Sequence, residues 1–439
     1  MNKLALLLAL LAAMSVSFGH ATASAIRMQL IHTDAGRGLT PRELLQRMAL
    51  RTKARAARIL AEAATAQVTP GEISNAVPDT EYLMHFAIGT PPQPVQLTLD
   101  TGSDLIWTQC LPCTSCFNQT LPHFDSSVSS TFSELPCSSL ECQALQSSSC
   151  GTDSSSWGNR TCSGYSYSYG DGSVTIGDLD TETFTFPDAA AGTGSTTTVP
   201  AMAFGCGHNN TGIFTSNETG IAGFGRGALS LPSQLKVDNF SYCFTNITGS
   251  TPSPVLLGLP ANLFGSDPVQ TITLIQTSAY YYLPLKGITV GSTRLPIPES
   301  TFALTANGTG GTIIDSGTGM TSLPHDVYTL VQDAFVSHVN LAVLNLTSMS
   351  ISKLCFTVPP GANPEVPKLV FDFEGATLDL PRENYMFEIE AEGATCLAVN
   401  DGGASDVTII GNYQQQNLHV LYDLASNELS FVPAQCDKV

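Results

Sequence analysis

The stretch LTLDTGSDLIW (residues 97–107) runs from an alternating apolar segment straight into Asp-Thr-Gly-Ser, and TIIDSGTGM (residues 312–320) nearly repeats it. A single Asp-x-Gly after a strand is common. Asp bonds to nearby backbone, and Gly accepts a positive φ. Two copies with matching flanks carry more information. In GIAGFG an apolar run ends at Gly223, 123 residues after Asp100, and in TIIGN another ends at Gly411, 96 residues after Asp315. The spacing predicts a duplicated lobe, with the cysteine-dense stretch 110–162 as an insertion in the first copy.

Two lobes packed about a pseudo-twofold axis bring equivalent loops together, so Asp100 and Asp315 are predicted to face each other. Two carboxylates at such a junction do not both ionise readily, so one keeps its proton. The charged member then draws a proton from a water, and the neutral member protonates a substrate carbonyl. Gly102 and Gly317 let backbone approach the acids. Thr101 and Ser316 are placed to hydrogen-bond across the junction, and Ser103 and Thr318 to orient the carboxylates.

Composition fits a mostly β protein: 439 residues, 43% hydrophobic and only 13% charged, with 37 Gly and 26 Pro. Lys3, the apolar run LALLLALLAAM and the small residues of ATASA predict an export signal over residues 1–25. That run is too short to span a membrane of ~30 Å. The C-terminal SFVPAQCDKV has no hydrophobic tail, so no lipid anchor and no stable membrane association are expected. In an oxidising compartment the 12 cysteines read as disulfides, so CLPCTSC is not assigned to zinc and no metal is expected. Sequons at Asn118, Asn159, Asn209, Asn217, Asn239, Asn246, Asn307 and Asn345 agree with a secretory route. The expected destination is the cell wall space, with the vacuole as alternative.

Residues 26–70 hold eight Lys/Arg against three Asp/Glu, whereas residues 71–439 hold nine against 34. So acidic a body repels nucleic acid, which is excluded as a partner. Thr40-Pro41-Arg42-Glu43 is a capping box with proline at the first helical position. The helix it opens carries Leu44, Leu45, Met48, Ile59 and Leu60 on an apolar face. A basic helix between a signal and an acidic body predicts a removable propeptide over about residues 26–75. Arg42, Arg47, Arg51, Lys53 and Arg55 are expected to reach across the acidic surface, and the linker is expected to be cut near residues 65–80. The N-terminal lobe is then 76–240 and the C-terminal lobe 241–439. A helix is predicted in LPHDVYTLVQDAFVSHV, with Val327, Leu330, Val331, Phe335 and Val339 on one face.

From about Glu81 to the C-terminus the chain resembles the pepsin-like aspartic endopeptidases, most closely their nepenthesin-type plant subgroup. The motifs that carry the resemblance are DTGSDLIW, YSYGDGS, GIAGFGRGALSL, IIDSGT and TIIGNYQQQN. It implies a bilobal, mostly β fold with the cleft between two pseudo-twofold-related lobes. One shared proton between paired acids is the known behaviour of that family's dyad, matched here rather than derived. The resemblance further implies a hairpin flap carrying Tyr169 and Gly170, a Trp107 that bonds with the flap tyrosine, polypeptide substrates, no cofactor, and the chain's own propeptide as intramolecular inhibitor. A monomer is expected. The implied disulfides are Cys110–Cys113, Cys116–Cys206, Cys137–Cys162, Cys142–Cys150, Cys243–Cys436 and Cys355–Cys396. Sequence alone does not choose that connectivity. Ser316 stands where many relatives have Thr, which keeps the hydroxyl. No saposin-like insertion interrupts the second half.

Other hydrolase signatures are missing. The sequence has no G-x-S-x-G and no H-E-x-x-H, and GFGRG (223–227) lacks the Lys-Ser/Thr of a phosphate loop. The alternative is a protease-shaped binding protein, such as the xylanase inhibitors of this subgroup, which have lost part of the dyad machinery.

Overall fold

A computed structural model describes residues 26–35, 37–49, 52, 82–150, 158, 160–170, 172–187, 196–214, 217–249, 251–258, 268–277, 280–344, 354–359 and 362–438. The predicted signal, the linker at 65–80, and sequons Asn159 and Asn345 lie outside these residues. Among the other sequons, Asn118, Asn246 and Asn307 are exposed, and Asn209, Asn217 and Asn239 are half-buried.

Strands dominate. The first half contributes β1 (Ile26–His32), β2 (Tyr82–Ile88), β3 (Gln93–Asp100), β4 (Ile106–Gln109), β5 (Ser133–Glu134), β6 (Tyr165–Ser168), β7 (Val174–Pro187), β8 (Thr196–Thr211) and β9 (Gly220–Gly223). β10 (Asn239–Cys243) and β11 (Ser253–Leu257) lead towards the second half. β2 and β3 form an antiparallel hairpin, turning at Gly89 with φ +98°. β1 inserts between β2 and β11, antiparallel to both, and buries Ile26, Met28 and Leu30 on one face. These strands share a 14-stranded sheet that also takes in Gln270–Thr273, Leu418–Asp423 and Glu428–Pro433, so one sheet joins the two lobes.

The duplication is visible in strand pairing. β3 runs parallel to β9, with Leu99 opposite Ala222 and Asp100 opposite Gly223, and β4 is antiparallel to β9. In the second half Thr312–Ile314 runs parallel to Thr408–Ile410, with Ile314 opposite Ile410, and Ser322 pairs antiparallel with Ile409. β4 is parallel to β8, just as Thr321–Leu323 is parallel to Val399–Asp401. The same crossing in each lobe ends a central strand at the acid. It also brings backbones together so closely that only glycine fits. A Cβ on Gly223 would lie 2.2 Å from the carbonyl carbon of Asp104, and one on Gly411 would lie 2.4 Å from that of Met320.

The predicted long helix spans His325–His338, starting just after Pro324, and buries Val327, Tyr328, Val331 and Phe335. A second helix covers residues 41–49. Its capping box is formed: the Thr40 N–H donates to Glu43 Oε2 at 2.8 Å, and the Glu43 N–H donates to Thr40 Oγ1 at 3.3 Å. Leu44, Leu45 and Met48 join one buried cluster with Met320, Phe387, Ile389 and Tyr413 of the C-terminal lobe.

Four of the six disulfides implied by the resemblance are different in the structure. The bonds are Cys110–Cys206, Cys113–Cys116, Cys137–Cys150, Cys142–Cys162, Cys243–Cys436 and Cys355–Cys396. Cys110–Cys113 and Cys116–Cys206 are not formed because Cys110 continues β4 alongside β8. Its N–H donates to Gly207 O at 2.9 Å, and its Cα lies 5.3 Å from that of Cys206. Cys113 is then left with Cys116, at a Cα separation of 6.1 Å. Cys137–Cys162 and Cys142–Cys150 are exchanged for Cys137–Cys150 and Cys142–Cys162. The sulfurs of Cys142, Cys150 and Cys162 all lie within 4.8 Å of one another, so only side-chain direction separates the two pairings.

Candidate active site

The two acid loops meet in direct contact. The Thr101 N–H donates to Ser316 Oγ at 3.0 Å, the Ser316 N–H donates to Thr101 Oγ1 at 2.9 Å, and Ser316 Oγ–H donates to Leu99 O at 3.0 Å. Asp100 and Asp315 are both fully buried. Their surroundings repeat across the junction. Gly102 N–H donates to Asp100 Oδ1 at 3.0 Å and the Ser103 hydroxyl to Oδ2 at 2.5 Å. Gly317 N–H donates to Asp315 Oδ1 at 2.9 Å and the Thr318 hydroxyl to Oδ2 at 2.6 Å. Each carboxylate is thus held in one rotamer by two donors.

β6 and β7 form the hairpin that places Tyr169. The Tyr169 N–H donates to Ser173 O at 2.7 Å, and Gly172 turns the chain at φ +87°. Gly170 lies in that turn. Trp107 Nε1–H donates to Tyr169 Oη at 2.7 Å. Burial raises the Tyr169 phenol well above its ordinary range, and the neighbouring Tyr167 and the Asp100 charge add to this, so the hydroxyl stays protonated. Phe117 and Phe214 stack with centroids 4.3 Å apart and close over Trp107 edge-on. Tyr169 itself is only 5% exposed, so it is a packed residue as well as a hairpin residue.

Several supporting residues were not assigned a role from the sequence. Asp104, directly after DTGS, accepts from Gly227 N–H at 2.7 Å, and its own N–H donates to Tyr167 Oη at 3.3 Å. A Cβ on Gly225 or Gly227 would lie 2.4 or 2.3 Å from the Asp104 carboxylate, so the glycines of GFGRG make room for this side chain. Burial pushes the Asp104 carboxyl up to about 6, against the Gly227 bond and with the Asp100 charge. In the second lobe Asn412 Nδ2–H donates to Ser316 O at 2.9 Å. Gln415 Nε2–H donates to Ile410 O at 2.9 Å and Asp315 O at 3.4 Å, while its Oε1 accepts from the Tyr242 hydroxyl. The quoted TIIGNYQQQN motif contained Asn412 and Gln415, but no local pattern reveals which backbone groups they meet.

The N-terminal segment reaches the same region. The Met320 N–H, five residues beyond Asp315, donates to the buried Thr52 Oγ1 at 2.8 Å, and Asn400 Nδ2–H donates to Ala49 O at 2.9 Å. Two of the five basic residues expected to reach across the acidic surface are among the described residues. Arg42 pairs with Glu392 at 2.6 Å on a partly exposed surface, and Arg47 turns back to Asp34 at 2.9 Å within its own segment. Arg51, Lys53 and Arg55 lie outside the described residues. A surface ion pair is worth ~0–1 kcal/mol. Each fully buried Leu or Met is worth roughly 1.5–3 kcal/mol, so the apolar contact outweighs these two pairs.

Comparison with known proteins agrees with this geometry. Residues 82–259 match the family model described as xylanase inhibitor N-terminal, and residues 280–433 the one described as xylanase inhibitor C-terminal. The chain is 46% identical over 424 residues to aspartic proteinase nepenthesin-1 of Nepenthes gracilis, covering 95% of this chain and 91% of the relative. It is 44% identical over 422 residues to nepenthesin-2 of the same plant, covering 94% and 90%. The crystal structure of edgp superposes with a TM-score of 0.69 at 18% identity, covering 94% of this chain and 96% of that one, which speaks for the fold alone.

Proposed function

The chain belongs to the nepenthesin-type aspartic proteinases and is an aspartic-type endopeptidase, and from that premise we propose that it is made as an exported zymogen hydrolysing peptide bonds at acid pH. The observation that carries the reading is the matched pair of buried carboxylates, Asp100 and Asp315, each held by a glycine N–H and a hydroxyl. In the proposed reaction the ionised member takes a proton from a water whose oxygen bonds to the peptide carbonyl carbon. The protonated member gives its proton to the carbonyl oxygen. The tetrahedral diol then collapses: the amine nitrogen takes the proton that the first acid drew from water, the C–N bond breaks, and a diol hydroxyl gives its proton to the other acid, so the pair is again singly protonated.

Polypeptides are the substrates, and the proposed inhibitor is the chain's own residues 26–75. Support comes from β1 within the joining sheet, from the apolar docking of helix 41–49, and from Thr52 on the Met320 amide. Export to the cell wall space, or alternatively the vacuole, rests on the N-terminal apolar run, the sequons and six disulfides. The rival reading as an inactive binder loses ground because both acids and all four flanking hydroxyls are retained.

The test uses the precursor expressed from Ile26 and shifted from neutral pH to about pH 4, with the dyad's shared proton required for turnover. The expected outcome is trimming near residues 65–80 and cleavage of denatured globin, blocked by pepstatin. The Asp100→Asn precursor, treated alone, stays whole. Identical trimming of that variant without added protease would overturn self-activation.

A further inference from the structure

The chain between Cys110 and Glu134, the outer face of β7 and His208 on β8 enclose a cavity of about 210 Å³ that shares no lining residue with the dyad. Its polar wall follows from strand alternation. Asp178 and Asp180 lie two residues apart on one face of β7, while Leu179 points into the core. Glu134 on β5 pairs across from Asp180. Asp178 has partners: Gly164 N–H donates to it at 3.1 Å, and His208 Nε2 lies 3.4 Å away. Asp180 differs. It is 4% exposed, lines the cavity, and its carboxyl has no hydrogen-bond or ion-pair partner among the described residues. A buried carboxylate is costly without a counter-charge, and among the described lining residues the one basic side chain, His208, lies against Asp178, so three acids share one imidazole and the wall has room for a further cation.

The wall chemistry selects the kind of cation. A bare metal ion needs three or more donor atoms close together, with ligand oxygens about 2.3–2.6 Å from the ion. Among the described residues only the sulfurs of Cys142, Cys150 and Cys162 meet a 4.8 Å mutual limit, and all three are in disulfides. The acids here are spread around a wider space, and Pro112 and Phe132 add apolar wall. A cavity of ~150 Å³ holds benzene, so this one has room for a charged head with part of a methylene stem. Side chains of that type bury the stem on apolar surface and keep the head on acids.

We propose that this cavity binds an alkyl-guanidinium or alkyl-ammonium group, its charge against Asp180, Asp178 and Glu134 and its stem along Pro112 and Phe132. The group belongs either to a basic side chain of another polypeptide or to a free amine.

Titration calorimetry of the precursor at about pH 8 and low salt, with agmatine and separately with a blocked Gly-Arg-Gly peptide, tests this. Saturable binding of either probe is expected. Asp180→Asn is expected to weaken it at least ~tenfold, while Asp333→Asn, an exposed acid on the long helix, leaves it unchanged. Glu134→Gln, at the exposed rim where folding is not at stake, weakens it ~2–5-fold. Tighter binding of the peptide identifies a polypeptide source, and tighter binding of agmatine a free amine. The proposal is overturned if neither probe saturates by ~50 mM. It is also overturned if Asp180→Asn binds like the parent, or if Asp333→Asn loses as much. Saturable calcium binding that Asp180→Asn abolishes, with no agmatine binding, would make this an inorganic ion site instead.

Discussion

Thr101 and Ser316 exchange hydrogen bonds across the lobe junction, each backbone N–H donating to the other residue's hydroxyl, at 3.0 and 2.9 Å. The exchange locks two loops 215 residues apart in sequence into one rigid unit, and it fixes Asp100 and Asp315 on either side of the axis. Ser316→Ala leaves the Thr101 N–H and Leu99 O buried without their partner and is expected to cost ~1–3 kcal/mol. Ser316→Thr keeps the hydroxyl and is expected to cost less. Denaturant unfolding of both variants checks this. Equal stability of the two would remove the bond's structural role.

Asp100→Asn and Asp315→Asn each keep the side-chain shape and the glycine N–H bond but delete one half of the acid–base pair. Turnover of a peptide substrate is expected to fall by ~10²–10⁴ or more, with melting little changed. Retained turnover in either clean variant contradicts the dyad.

Because Tyr169 is packed against Trp107 and Tyr167, truncation to Ala is expected to reduce stability as well as activity. Tyr169→Phe is the cleaner probe. It keeps the ring and strands only the Trp107 indole N–H, at a cost of ~1–3 kcal/mol. A fall in kcat larger than the loss of stability would place the hydroxyl in the reaction rather than in packing.

Docking of the N-terminal helix is expected to depend on Leu45 and Met48 more than on its arginines. Leu45→Ala removes a fully buried side chain and is expected to weaken the contact by ~2–5 kcal/mol, so that the precursor is processed at higher pH. Arg42→Ala and added salt are expected to change the processing pH little. Processing that responds to 0.5 M salt as strongly as to Leu45→Ala, against screening lengths of only ~3–10 Å, would show that charge holds the segment.

Asp104 and Asp180 carry carboxyls raised to about 6 and about 7, in both cases chiefly by burial. Unfolded, such groups titrate near ~4. The native state therefore binds protons more tightly, a contribution fully present below about pH 4 and lost as pH rises through 6 to 7. Asp180→Asn is expected to raise the melting temperature at about pH 8 and to leave it nearly unchanged near pH 3.5. Equal shifts at both pH values would rule out titration of Asp180 as the cause.

Strand ends, repeat and paired acids were legible because each is written locally. Two apolar runs break at Asp-x-Gly, two more end at Gly223 and Gly411, and the capping box at Thr40 is complete within four residues. The bonds of Thr101 and Ser316 across the junction were legible too, since a hydroxyl beside each acid has a natural partner once the halves pair. What depended on side chains meeting from distant segments was not legible. Asp104 finds its amide at Gly227, Gln415 lies beneath Asp315, and Thr52 caps the Met320 N–H. The cysteine pairing belongs with these: Cys110 takes Cys206 because β4 runs beside β8, and the cluster around Cys142 is decided by side-chain directions within a few ångströms. Local pattern sets where a strand stops and which residue stands at its end. Which atoms then touch is set by how sheets and loops pack in three dimensions, and only the tertiary structure holds that information.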